Sequence, residues 1–84
     1  MNYKVLIKLY VPEIEKNYEL YIPVNKTVLQ VIKLLNQAVK SISLDVYPIK
    51  ENIKLVNRRD NTEYKNADFI RNTNIRNGTE LVIF

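Results

Sequence analysis

The side chains available for proton, electron-pair or metal chemistry are nine carboxylates, thirteen lysines and arginines and six tyrosines, with neither cysteine nor histidine. Without cysteine there are no disulfides, thiolate nucleophiles or zinc–thiolate sites. Without histidine the commonest general base and transition-metal ligand is missing. Catalysis would rest on the carboxylates. Glu13 and Glu15 share one polar connection, the others stand singly among lysines, and no glycine-rich phosphate loop accompanies them. Positioned acid, base or nucleophile is therefore not in view, and the expectation is a non-catalytic chain needing no metal and no cofactor.

The cations invite a second chemistry. Arg58-Arg59 at a turn could grip phosphates or acidic groups, and with Lys4, Lys8 and Lys54 they define an alternative reading as a small basic nucleic-acid-binding domain. Against it, the net charge is only +4, and no run of five like charges occurs. Tyr3, Tyr10, Tyr18, Tyr21, Tyr47 and Tyr64 are spread over several elements and both faces, without a recognisable base-stacking motif.

These side chains must be held by regular elements. Tyr3, Val5, Ile7, Leu9 and Val11 alternate with Lys4, Leu6, Lys8 and Tyr10, the period of a half-buried strand ended by Pro12. Glu13 to Asn17 is a polar connection, after which Tyr18, Leu20 and Ile22 alternate again, so the two runs predict a β-hairpin. Thr27 followed three residues later by Gln30 is a capping-box signature, and the period then changes to 3.6. Val28, Val31, Ile32, Leu35, Ala38 and Val39 form one stripe, flanked by Leu29 and Leu34.

Ser41 to Asn52 carries no clear period, and Pro48 biases Tyr47 away from helical geometry, which predicts a loop with one helical turn. Ile53 to Asn57 alternates. The turn formers Asn57 to Asn61 predict a connection to a short strand around Glu63 to Lys65. Asn66 to Asn77 is polar with the anchors Ala67, Phe69, Ile70 and Ile75, and Asn77-Gly78, both tolerant of positive φ, leads into a last strand from Glu80 to Phe84.

With 84 residues, 46% hydrophobic and 26% charged, the chain has the size and composition of one globular domain spanning residues 1–84. Its longest apolar-rich run, Val28 to Val39, is interrupted by Gln30, Lys33, Asn36 and Gln37. No insertion into a membrane is expected. The opening residues lack the pattern of a signal peptide, so the expected location is the cytoplasm.

A hairpin, one helix and a final strand after a long irregular passage is an α+β arrangement that resembles ubiquitin. The paired opening strands, Thr27 as cap with Val28 behind it, Leu55 in the third strand and Thr73-Asn74-Ile75 before the last strand carry the likeness. The resemblance implies a β-grasp: a mixed four- to five-stranded sheet with one helix packed across one face. Among ubiquitin-like proteins the chain is similar to the YukD/EsaB family of bacterial type VII secretion accessory proteins, through its Lys-bearing first strand, Asn/Tyr-rich hairpin and terminal strand after an NG turn. That similarity implies a cytoplasmic accessory or regulatory protein that binds a protein partner, such as a membrane-associated secretion component. Ubiquitin-type modifiers end in a flexible diglycine tail. Here the single glycine is Gly78 and the last residue is Phe84, so conjugation is not expected.

In such a sheet Val5, Ile7, Leu20, Ile22, Leu55, Leu81 and Ile83 face the helix residues Val28, Ile32 and Leu35. The outward positions are Leu6, Tyr10, Tyr21, Val56, Val82 and Phe84, with Lys4, Lys8 and Lys54 among them. An apolar patch with a basic rim suits protein docking, and the expected binding residues are Leu6, Lys8, Lys54, Val56, Val82 and Phe84. The resemblance places Val56 and Val82 in the region of ubiquitin's main hydrophobic patch. The plainer reading is that Val, Phe and Tyr are good strand formers and that scattered exposed apolar residues carry no message. A homodimer through the apolar face or a free strand edge is a further reading.

Overall fold

The computed structural model describes residues 3–44 and 52–84. β1 (Lys4–Val11) and β2 (Lys16–Pro23) form the predicted hairpin, paired antiparallel from Lys4↔Pro23 to Val11↔Lys16. Pro12 opens a 3-10 turn through Ile14, where its fixed φ fits and its missing N–H costs nothing. Glu15 then reverses the chain at φ 52°, so β2 begins earlier than the expected alternation from Tyr18.

α1 (Val28–Ile42) starts where the capping box places it. Thr27 Oγ1 accepts the Gln30 N–H at 3.2 Å, and Gln30 Oε1 accepts the Thr27 N–H at 2.9 Å. The predicted loop from Ser41 begins instead as the last helical residues, Ser41 and Ile42. Most of the rest of that expected loop, residues 45–51, lies outside the described residues.

β3 (Leu55–Asn57) and β4 (Glu80–Ile83) complete one sheet of order β2-β1-β4-β3. β1 and β4 run parallel and the other pairs antiparallel, the mixed arrangement expected of a β-grasp. The fifth strand anticipated at Glu63 to Lys65 is reduced to a single bridge, Val56↔Glu63, beside a Tyr64 N–H to Leu55 O bond of 3.0 Å. The helix explains this. Its first N–H groups lack intrahelical acceptors, and the Asn66 and Asp68 carbonyls serve Leu29 at 3.1 Å and Val28 at 2.8 Å. The segment turns under α1 instead of continuing the ladder.

The Asn77-Gly78 turn is present, closed by the Thr79 N–H on Arg76 O at 3.0 Å. Only Gly78 has positive φ (86°), as at the third position of a type II turn, and Asn77 does not use the left-handed region. The turn feeds a strand parallel to β1, so it is not a hairpin turn.

The core lies between the sheet and α1. Ile7, Leu9, Val11, Ile22, Leu55, Leu81 and Ile83 meet Val28, Val31, Ile32, Leu35 and Val39, all buried. Of the ten expected core residues, Val5 on β1 and Leu20 on the edge strand β2 are only half-buried, packed against the margin of the core. Ile53, Tyr64, Ile70 and Ile75 close the remaining side. Of the expected anchors between Asn66 and Asn77, Ile70 and Ile75 are buried, whereas Ala67 and Phe69 are exposed because they ride on the segment that caps the helix.

Candidate docking face

Successive strand residues point to opposite faces, so the residues between the core positions must line the face away from α1. Register sets their neighbours. Tyr10 lies beside Val82, and Val82 beside Val56, forming one apolar row across three strands. All three are half-buried. Phe84, two residues beyond Val82 and 55% exposed, continues the apolar surface next to Lys54. Its backbone exchanges hydrogen bonds with Lys54 at 2.9 and 3.2 Å, extending the β3–β4 ladder past the regular strands.

The row on the other side of Val82 is charged. Lys8 stands opposite Glu19 on β2 and beside Glu80 on β4, and the Arg58 N–H reaches Glu80 O at 2.9 Å. Arg59 Nε meets Glu80 Oε2 at 3.3 Å, and Lys54 Nζ meets Glu63 Oε1 at 3.5 Å. The Arg58 guanidinium lies over the Tyr10 ring, 4.9 Å from its centroid. A shallow depression of about 280 Å³ opens between Tyr10, Lys8, Arg58, Glu80, Glu19 and the start of β2.

All six expected binding residues, Leu6, Lys8, Lys54, Val56, Val82 and Phe84, occupy this face, but they do not form one apolar patch. Leu6 pairs with Tyr21, which is 66% exposed, and its backbone N–H and C=O are taken by Asn77 Oδ1 and the Gly78 N–H, each at 2.8 Å. The row from Glu19 through Lys8 and Glu80 to Arg58 separates Leu6 and Tyr21 from Tyr10, Val82, Val56 and Phe84. Tyr10 and Arg58 belong to the cluster although neither is among the six. Pairing register, which the alternation of one strand does not contain, brings them there. Of the cations considered for nucleic acid, Lys54 and Arg59 face carboxylates and Arg58 covers a tyrosine.

A second polar group was not anticipated. Buried Asn57 donates through Nδ2 to the Tyr64 hydroxyl at 3.1 Å, and that hydroxyl donates to Asn74 Oδ1. Asn74 Nδ2 continues to Asp60 Oδ2 at 3.2 Å. Burial raises the Tyr64 pKa above the ordinary phenol value. The Thr62 N–H, 2.9 Å from Asp60 Oδ1, holds the Asp60 carboxyl below the usual carboxylate range. This network ties the turn after β3 to the passage before β4. Among the described residues no three carboxylates gather as metal ligands would, and no helix is long and apolar enough to cross a membrane.

No protein-family model and no curated protein matches this chain. Solved structures do. A chain from a structure on molecular mimicry of SUMO in DNA repair is 19% identical, with TM-score 0.78 over 100% of this chain and 94% of that one. A chain of the ESX-5 inner membrane complex is 16% identical with TM-score 0.80; the match covers 99% of this chain but only 21% of that one. The ubiquitin-like domain of an Arabidopsis thaliana protein is 18% identical, with TM-score 0.66 over 99% of this chain and 78% of that one. At these identities the likeness speaks for architecture. The protein has a ubiquitin-like β-grasp fold, with a four-stranded sheet and one α-helix among the described residues.

Proposed function

We propose that this chain is a non-catalytic protein-interaction domain that docks its partner on the outer sheet face and serves as a cytoplasmic accessory or regulatory component of a type VII (ESX-like) secretion system. The observation that carries the docking role is the row Tyr10–Val82–Val56 with exposed Phe84 beside it. It is a run of apolar side chains on the face that the helix leaves uncovered. The secretion role draws support from the likeness of fold to part of a chain in the ESX-5 inner membrane complex. The domain would act by presenting a surface, a reading supported by a sequence with neither histidine nor cysteine.

The test is affinity capture from the source cell, comparing wild type with Val56→Asp and Phe84→Ser, both checked for native circular dichroism. Wild type is expected to recover membrane-associated secretion components and both variants to lose them. Equal capture by folded variants would remove the face from the account. Recovery of nuclease-sensitive material instead would favour the nucleic-acid alternative.

A further inference from the structure

The parallel ladder between β1 and β4 opens at Lys8, which pairs with Glu80 and donates its N–H to Thr79 O at 2.9 Å. Leu6 lies just before it. In the hairpin, alternate residues of β1 bond across to β2, and the Val24 N–H on Tyr3 O at 2.7 Å sets the phase, so the Leu6 N–H and C=O point to the other edge. There the turn before β4 meets them. The Leu6 N–H donates to Asn77 Oδ1 and the Gly78 N–H donates to Leu6 O, each at 2.8 Å. A carboxamide side chain and the next peptide nitrogen thus act as one latch, holding the entry of β4 against β1.

The same two groups are the reactants of succinimide closure. We infer that Asn77 is a self-modification site, guarded by Leu6 and released to react whenever this latch opens. In the reaction the Gly78 nitrogen gives up its proton to solvent base and bonds to Asn77 Cγ; the Cγ–Nδ2 bond breaks, and Nδ2 takes up a proton and leaves as ammonia. Water then opens the cyclic imide at either carbonyl, giving an aspartyl or an isoaspartyl linkage at position 77. Gly78 carries no side chain to hinder the attack, and as the only glycine it gives no other asparagine that advantage; Thr62, Thr73 and Ile75, which follow Asn61, Asn72 and Asn74, are branched at Cβ. Asn77 and Gly78 are both exposed, so water and base reach them. With the latch closed, however, the Gly78 proton is spent on Leu6 O and Asn77 Cγ is held through its own oxygen. The reaction therefore waits on local opening. The isoaspartyl product cannot close the latch again, because its main chain runs through Cβ and Cγ and the former side-chain carbonyl becomes backbone. The turn is lengthened by a methylene. Its closing bonds, the Thr79 N–H on Arg76 O at 3.0 Å and the Arg76 N–H on Thr79 Oγ1 at 2.8 Å, lose their spacing.

The test ages the folded protein beside the same chain unfolded in guanidinium chloride, at one pH and temperature, and locates amide-to-acid conversion by peptide mapping and mass spectrometry. Hydrogen exchange of the Gly78 amide is measured on fresh folded protein. Asn77 is expected to convert first in both samples, and about 5- to 100-fold more slowly when folded, as for two hydrogen bonds that must open together. That slowing should be of the same order as the exchange protection of the Gly78 amide, since both need the same opening. Isoaspartyl chains, separated by reversed-phase chromatography, should unfold at lower urea than unmodified chains. Equal rates in the folded and unfolded samples would overturn the guarding role of Leu6, as would a slowed reaction beside a Gly78 amide that exchanges freely. Conversion led by another asparagine would overturn the site itself. An unchanged urea midpoint for the isoaspartyl chains would overturn the loss of the latch.

Discussion

Asn57 and Tyr64 show how one side chain can hold a turn. The buried Asn57 amide spends Oδ1 on the Arg59 and Asp60 N–H groups, at 2.9 and 3.3 Å, and Nδ2 on Tyr64. Tyr64→Phe keeps the ring in the core but orphans that donor, so it should cost about 1–2 kcal/mol in urea unfolding. Asp60 acts through its charge. Its folded pKa lies below the unfolded value, so its contribution is present above the unfolded pKa and is lost as pH falls through the folded one. Unfolding midpoints of wild type should therefore decline below about pH 4, the range of an unperturbed aspartate, and Asp60→Asn should flatten that part of the profile. Asp60 and Asn57 are legible in the sequence as turn formers. Their link to Tyr64 and Asn74 is not, because nothing in residue type says which of several polar groups will meet.

Among the elements, α1 was the most legible, because one capping box and one apolar stripe agree on the same start and the same buried face. Thr27→Ala removes one arm of that box and should cost about 1 kcal/mol, a fall in melting temperature of roughly 4–8 °C for a domain of this size. The turn before β4 is equally local. No atom lies within 4 Å of a Cβ built on Gly78, so Gly78→Ala meets no clash and its cost is the backbone's alone, at φ 86°. About 1 kcal/mol is expected from urea unfolding. The missing fifth strand was not legible. Glu63 to Lys65 reads locally as an extended run, but its continuation is needed by the helix N-terminus, and only the docking of α1 on the sheet reveals that demand.

At the scale of the whole molecule the sheet divides the face proposed for docking from the core by parity. Leu81 is fully buried and its neighbour Val82 faces away from the helix, so Leu81→Ala should cost about 2–5 kcal/mol in urea unfolding and Val82→Ala less than about 1 kcal/mol. Equal costs would mean that both faces are core. Parity is written in the sequence: alternation separates Ile7, Leu9, Leu81 and Ile83 from Lys8, Tyr10, Val82 and Phe84 without any structure, since the side-chain period of a strand is two. The α+β class, the helix with its cap and most of the core followed from such local rules. The tertiary structure decided what lies beside what across the strands. The parallel pairing of β1 with β4 puts Tyr10 next to Val82, and the row of Lys8, Glu80 and Arg58 cuts Leu6 away from the other apolar residues. The β1–β4 pairs Tyr10↔Val82 and Lys8↔Glu80 join segments more than sixty residues apart along the chain. Hydrogen bonding between distant strands sets that register, and no period within a single strand can encode it.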